Sequence, residues 1–335
     1  MASQTESDPH HGRTGALVWI RRHAQLRTVV PALVGLGLVA YVVNIASTPK
    51  SGAEFWSVVR GTWWIILLLT IPYLVTRAFV WWGLLKQLGL DIPWRPLAVA
   101  FAGGEMTKML PAGIYAENYL LTRLEHFRSR GTVRSSMATT ATLGLESLVA
   151  VPVLLVLGIP GFPWLRLTIL ALVGAWLLFI AFTWAAVRFG RRHLDAGSPG
   201  WLRQGFELAD DFLKAGRSLI AWRTLALAAP TAAYLLIYAV DIFSIMRSAG
   251  VDTVSFADAI AVYAFVVLTV ILIPIPTEIG LTEFSGLSAL EAFGIPQASA
   301  AVVILSLRAL ATGMTMLAAG LVILALRSQL THPDT

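Results

Sequence analysis

The stretch PLAVAFAGGEMTKMLPAGIYAENYL, Pro96–Leu120, lies between two basic segments. Residues 85–95 carry Lys86 and Arg95, and residues 121–135 carry Arg123, Arg128, Arg130 and Arg134. Lys and Arg beside apolar segments collect on the cytoplasmic side of a membrane, so both basic segments are assigned to that side. The stretch between them must then enter the bilayer and come back. One full crossing takes about 20 apolar residues, so 25 residues are too few for two. Gly103, Gly104, Pro111 and Gly113 interrupt helix within it. The reading is a re-entrant hairpin, whose open backbone a bilayer tolerates only inside protein or beside a hydrated cavity.

The rest of the chain agrees with a bilayer as solvent. Of 335 residues, 57% are hydrophobic and 13% charged, against about 25% charged in an ordinary soluble domain. Residues 28–49, 167–187 and 259–277 hold no charge. Residues 62–85 hold only Arg77, 136–158 only Glu146, 224–246 only Asp241 and 297–326 only Arg308. A soluble helix would show a polar face at a period of 3.6 residues, and these segments do not. Strands of about ten residues with alternating polarity, the mark of a membrane barrel, are also missing. The expected fold is an all-α polytopic membrane protein of about six full transmembrane helices plus two broken or re-entrant helical hairpins.

Charge and motif content exclude other classes. The net charge of +6 follows the basic segments flanking the spans, and no soluble basic domain exists to hold nucleic acid. The basic N-terminal tail, residues 1–27, precedes an apolar stretch too long for a cleaved signal peptide and is expected in the cytoplasm. The short tail 327–335 is expected there too. There is no cysteine, and all six histidines (10, 11, 23, 126, 193, 332) fall outside the spans. No metal, no cofactor and no catalytic residue is expected, since no HExxH helix, P-loop, GxSxG elbow or dinucleotide fingerprint occurs. The chain is read as a non-enzyme.

The sequence also repeats itself at an offset of about 161–163 residues. Leu84-Leu85-Lys86-Gln87-Leu88-Gly89-Leu90-Asp91 resembles Ile245-Met246-Arg247-Ser248-Ala249-Gly250-Val251-Asp252. Each is followed by an Ala/Val/Phe-rich run, a Pro/Gly-broken stretch and an acid, Glu117 or Glu283. Gly131 then matches Gly294, and a long apolar helix follows with one charge, Glu146 or Arg308. Three spans separate the copies, about 62–158 and 222–326, so the single transmembrane domain 28–326 is expected to be two inverted repeats. Such repeats with paired broken helices place a transport site at the midplane. Residues 201–220 alternate apolar and charged positions at helical spacing and read as an amphipathic interfacial helix or a short soluble connector.

Ionisable groups inside hydrocarbon cost at least about 2.5–3.5 kcal/mol and so point to a cavity or a partner. Arg77 is a candidate oxyanion ligand, or a structural partner of Glu105 or Glu146. Glu105 and Lys108 are three apart and either pair with each other or line a cavity. Glu117 either faces that cavity or reaches the interface. Glu146 and Arg308, at equivalent depths in the two repeats, are placed to meet across a pseudo-two-fold axis as a structural pair or as a proton or headgroup relay. Asp241 is a candidate proton carrier or a structural group. Glu278 and Glu283 flank Gly280 and mirror the first set.

The run Arg77…Leu110-Pro111-Ala112-Gly113…Glu117…Arg123…Gly131…Glu146 resembles the first half of the lysylphosphatidylglycerol synthase transmembrane region family, also described as flippase-like. Pro276…Gly280-Leu281-Thr282-Glu283…Gly294…Arg308 resembles its second half, so the resemblance covers about residues 28–326. Two positions depart from the family pattern: Ala116 stands where the family usually has Gly, and Ser147 follows Glu146 where Arg and then Asp are common. The resemblance implies translocation of a polar or charged membrane lipid, here across a bacterial plasma membrane. A separate soluble domain makes the aminoacylated lipid in the bifunctional synthases, and this chain, ending at Thr335, is expected not to synthesise it. Arg77, Lys108 and Arg308 would engage an anionic headgroup, and Glu105, Glu117, Glu146 and Glu283 a cationic one or protons. Two other readings stand beside this one. The chain would be an accessory protein or enzyme of lipid-linked sugar or aminoacyl-lipid metabolism, or it would recruit a separate lipid-modifying synthase through the basic loop 188–223.

Overall fold

A computed structural model describes residues 37, 39–44, 47–108, 113–127, 129–190, 200–273 and 279–330. The tail 1–27, most of the expected first span 28–49, Pro111, Pro276 and Glu278 lie outside the described residues. The described residues form helices joined by turns and loops and contain no strand. Among the described residues, five helices are long and apolar enough to cross a bilayer, by length and composition: 50–87, 130–157, 165–190, 222–248 and 297–326.

Helix α1, Pro49–Gln87, is 39 residues long and starts well before the expected span at 62. Its start is built by Thr48, whose side chain accepts from the Ser51 N–H at 3.2 Å, and by Pro49 in the first turn, where a missing N–H costs nothing. Helix α2, Trp94–Thr107, and α3, Ala116–Leu124, with a 3-10 turn at Gly113–Tyr115 before α3, form the first hairpin. The two arms pack against each other. Gly104 permits this: a Cβ there would lie 2.8 Å from the Glu117 Cβ, closer than side chains approach. The long helix α4, Ser129–Leu157, follows.

Helix α5, Leu165–Gly190, touches α4 and the amphipathic helix α6, Gly200–Ser218, and otherwise presents exposed Leu, Ile, Phe and Trp side chains to the surroundings. The expected helix at 201–220 is thus present. The second half opens with the short α7, Trp222–Ala226, and α8, Ala228–Ser248. Helices α9, Phe256–Leu272, and α10, Leu281–Ala292, form a second hairpin whose arms again pack together. Ser255 and Asp258 open α9 with a reciprocal cap: the Asp258 N–H donates to the Ser255 hydroxyl at 3.2 Å, and the Ser255 N–H to the Asp258 carboxylate at 2.8 Å. The chain then runs through α11, Gln297–Leu307, a π-helical turn at Arg308–Thr312, and α12, Gly313–Leu330.

The partnerships of the first half recur in the second. Helices α1 and α8 pack on each other. The first hairpin's α2 packs on α12, and the second hairpin's α9 packs on α4. Both α1 and α8 end in the same cap. Gly89 and Gly250 each have φ 73°, a left-handed conformation that glycine takes without Cβ strain. The Leu90 N–H donates to the Leu85 carbonyl at 3.0 Å, and the Val251 N–H to the Met246 carbonyl at 2.9 Å. The expected match of Gly131 to Gly294 does not hold. The left-handed residue that ends α3 is His126 (φ 49°), and it is His126 that occupies the place of Gly294 (φ 81°); Gly131 lies in the first turn of α4.

Candidate functional site

Residues four apart on a helix share a face. Tyr73 and Arg77 do so on α1, and Tyr234 and Tyr238 on α8. Because α1 and α8 pack together, these faces meet. The Tyr73 ring stands edge-on to Tyr234 at 6.0 Å and to Tyr238 at 4.8 Å, and Tyr238 stacks flat on Tyr263 of α9 at 4.9 Å. Around these four phenols lies a chamber of about 90 Å³. Helix α2 contributes Glu105 and Lys108, α4 contributes Glu146, α10 contributes Thr282, and the π-helical turn contributes Arg308 and Thr312. That room holds several waters or a small polar group.

Ion pairs and hydrogen bonds fix the wall. Arg77 pairs with Glu105, and both are buried. The Arg77 guanidinium also lies 5.6 Å from the Phe101 ring centre. The Arg308 Nε donates to Glu283 Oε1 at 2.6 Å, and its Nη1 reaches the Thr312 hydroxyl at 3.4 Å. Glu283 Oε2 accepts from the Gly280 N–H at 2.6 Å, so one carboxylate caps the start of α10 and holds the arginine. The Tyr234 hydroxyl donates to Glu146 Oε1 at 2.7 Å.

Five of the eight sequence candidates, Arg77, Glu105, Lys108, Glu146 and Arg308, line this chamber. Glu283 grips Arg308 from behind the wall. Glu117 does not face the chamber. It is buried between the hairpin and α4, where Thr139 donates to its Oε1 at 2.8 Å. Beside it Asn118 Oδ1 accepts from Ser135 at 2.9 Å and from Thr139 at 3.0 Å. Asp241 is buried in α8 away from the chamber, and its Oδ1 has no hydrogen-bond partner among the described residues.

Arg77 pairs with Glu105, one of the two acids expected as its structural partner. Glu146 and Arg308 are not at equivalent positions of their helices, since Glu146 lies more than a full turn further from Ser129, the start of its helix, than Arg308 lies from Gln297. Both line the chamber, where Glu146 accepts from Tyr234 and Arg308 donates to Glu283. The sequence reading missed the four tyrosines and the π-helical turn. Tyr73 and Tyr234 are equivalent positions at the offset of the repeat, and a polar group recurring inside two apolar spans was the available signal. Single π-helical turns inside α-helices gather at functional sites.

Comparison with curated proteins and with solved structures finds no match. The family model described as "Lysylphosphatidylglycerol synthase TM region" matches residues 29–319. With that match over most of its length, and with apolar helices on the scale of a bilayer, this multi-pass membrane protein belongs to the lysylphosphatidylglycerol synthase TM region family.

Proposed function

We propose that the chain is a flippase-like transporter that moves a polar or charged lipid headgroup across a bacterial plasma membrane. The observation that carries this reading is the chamber itself. Three cationic and two anionic side chains and four phenols surround one small cavity within a bundle whose long helices are apolar. Groups this costly in hydrocarbon persist where they serve a polar cargo or one another. In the present arrangement each arginine holds a carboxylate, Arg77 with Glu105 and Arg308 with Glu283. A headgroup phosphate would compete for the same guanidinium N–H groups, and a headgroup amine for Glu146. Exchange between protein partners and cargo partners lets the headgroup pass without leaving a bare charge.

The architecture supports an inverted-repeat reading. The partnerships α2 with α12 and α9 with α4 map onto each other when the halves are exchanged, and α1 and α8 end in the same glycine cap. On this reading the hairpins α2/α3 and α9/α10 are re-entrant, enter from opposite faces and meet the chamber near the midplane, with both chain termini in the cytoplasm.

The test is lipid scrambling in vesicles carrying the purified full chain. Protein-dependent movement of a labelled phospholipid or polyprenyl lipid is expected. It should fall about tenfold or more in Arg308→Met and Glu146→Gln. Rates equal to those of protein-free vesicles for every lipid class tested would remove the transport reading.

A further inference from the structure

Beside the chamber lies a second space of different character. Residues 149–157 of α4, 232–239 of α8 and 260–267 of α9 bound a groove of about 460 Å³, within the range of about 300–1,000 Å³ usual for ligand sites. Helical spacing explains it. Ala232, Leu236 and Ala239 form a stripe on α8 at intervals of four and three residues, and α9 presents Ile260, Ala264 and Val267 in the same way. Three alanines, Ala232, Ala239 and Ala264, stand where longer side chains would close the groove. Its rim is open: Val156 is 75% and Leu236 43% exposed.

The groove and the chamber share two residues, Tyr263 and Val267. The partition between them is therefore Tyr263 and Val267, with the Tyr263 ring stacked flat on Tyr238 of the chamber. A tyrosine suits such a boundary, with an apolar ring for one side and a hydroxyl for the other.

We propose that chamber and groove form one amphiphile site, the groove holding an acyl chain of the lipid whose headgroup occupies the chamber. This rests on the reading of the chain as a lipid transporter and names the part of the molecule that recognises the tail. A headgroup in the chamber keeps its charges among polar groups, while its chain stays in an apolar channel that leads out between α4 and α8 to the bilayer. The chamber's size selects a compact headgroup over an oligosaccharide. Opening of the Tyr238–Tyr263 stack joins the two spaces.

The experiment uses the full chain in vesicles of phosphatidylethanolamine and phosphatidylglycerol, with a phosphatidylethanolamine bearing a diazirine on its acyl chain. After photolysis, adducts are mapped by mass spectrometry. Expected is labelling within 149–157, 232–239 and 260–267 several-fold above that of α5, which faces the surroundings. Ala232→Trp should lower groove labelling and scrambling together by about tenfold. Leu236→Trp, at the exposed rim, serves if that variant does not fold. Glu146→Gln should lower groove labelling while labelling of α5 stays as in the wild type. Even labelling of all apolar faces, or wild-type scrambling by both tryptophan variants, overturns the proposal and leaves transport standing. Groove labelling that depends on Glu146, in a protein that scrambles nothing, keeps the site and overturns transport.

Discussion

In each half, the second arm of the hairpin meets the helix that follows it, and the two halves make that contact with different chemistry. In the first, Glu117 and Asn118 receive hydrogen bonds from Ser135 and Thr139. In the second, Glu283 holds Arg308. Hydroxyl bonds join α3 to α4 and bring no cation to the chamber, whereas the ion pair sets a guanidinium in its wall. The first half draws its arginine from α1 instead, and the equivalent of Arg77 in the second half is Tyr238. The packing scheme is repeated and the charges are not. A chamber between two halves so armed has unlike walls.

The largest expected effect comes from breaking the buried pair of the first half. Glu105→Ala leaves Arg77 buried without its carboxylate and should cost about 3–5 kcal/mol, read as thermal unfolding in detergent. The double variant Arg77→Met/Glu105→Leu should regain most of that stability and none of the scrambling. Unfolding of Glu105→Ala at the wild-type temperature would show that charge pairing does not hold this half. Next comes Gly104→Ala, which presses a methyl group against Glu117 and should cost about 1–3 kcal/mol by opening the first hairpin. Thr139→Val should cost about 1–3 kcal/mol, because Glu117 Oε1 loses its donor. An equal loss of scrambling would mean that the hydroxyl cluster does more than hold α3. Tyr234→Phe removes one bond to Glu146 and should cost about 0.5–1.5 kcal/mol, with a larger relative effect on scrambling than on stability. The smallest effect is expected outside the chamber. Lys214→Ala removes a largely exposed lysine from its pair with Asp210 one turn earlier on α6 and should shift stability by no more than about 0.5 kcal/mol.

Five of the expected spans and the breaks between the arms of both hairpins were legible because apolar length and Pro/Gly breaks are local properties. Family membership was legible too, because the motif residues keep their order along the chain. The partners of the charges were legible only as alternatives. A helical interval of three suggested Glu105 with Lys108, and burial suggested Glu105 or Glu146 for Arg77; the structure pairs Arg77 with Glu105 across two helices far apart in the chain. Matching Gly131 to Gly294 placed Glu146 level with Arg308. His126 takes the left-handed turn that the second half gives to glycine, and the helices that follow start 168 residues apart rather than 161–163. A residue other than glycine in that conformation leaves no mark in a residue pattern. The π-helical turn at Arg308 is equally silent, because no residue type demands it.

Helix α1 carries Tyr73 and Arg77 past its midpoint and is 39 residues long. At 1.5 Å per residue it is a rod of about 58 Å, and a bilayer with its headgroups is only about 40–45 Å thick. Such a helix must lean or protrude. Pro72 stands inside it one residue before Tyr73, where its missing N–H leaves a carbonyl without its helical donor and favours a bend, so the segment that bears Tyr73 and Arg77 is set off from the segment that begins at Pro49.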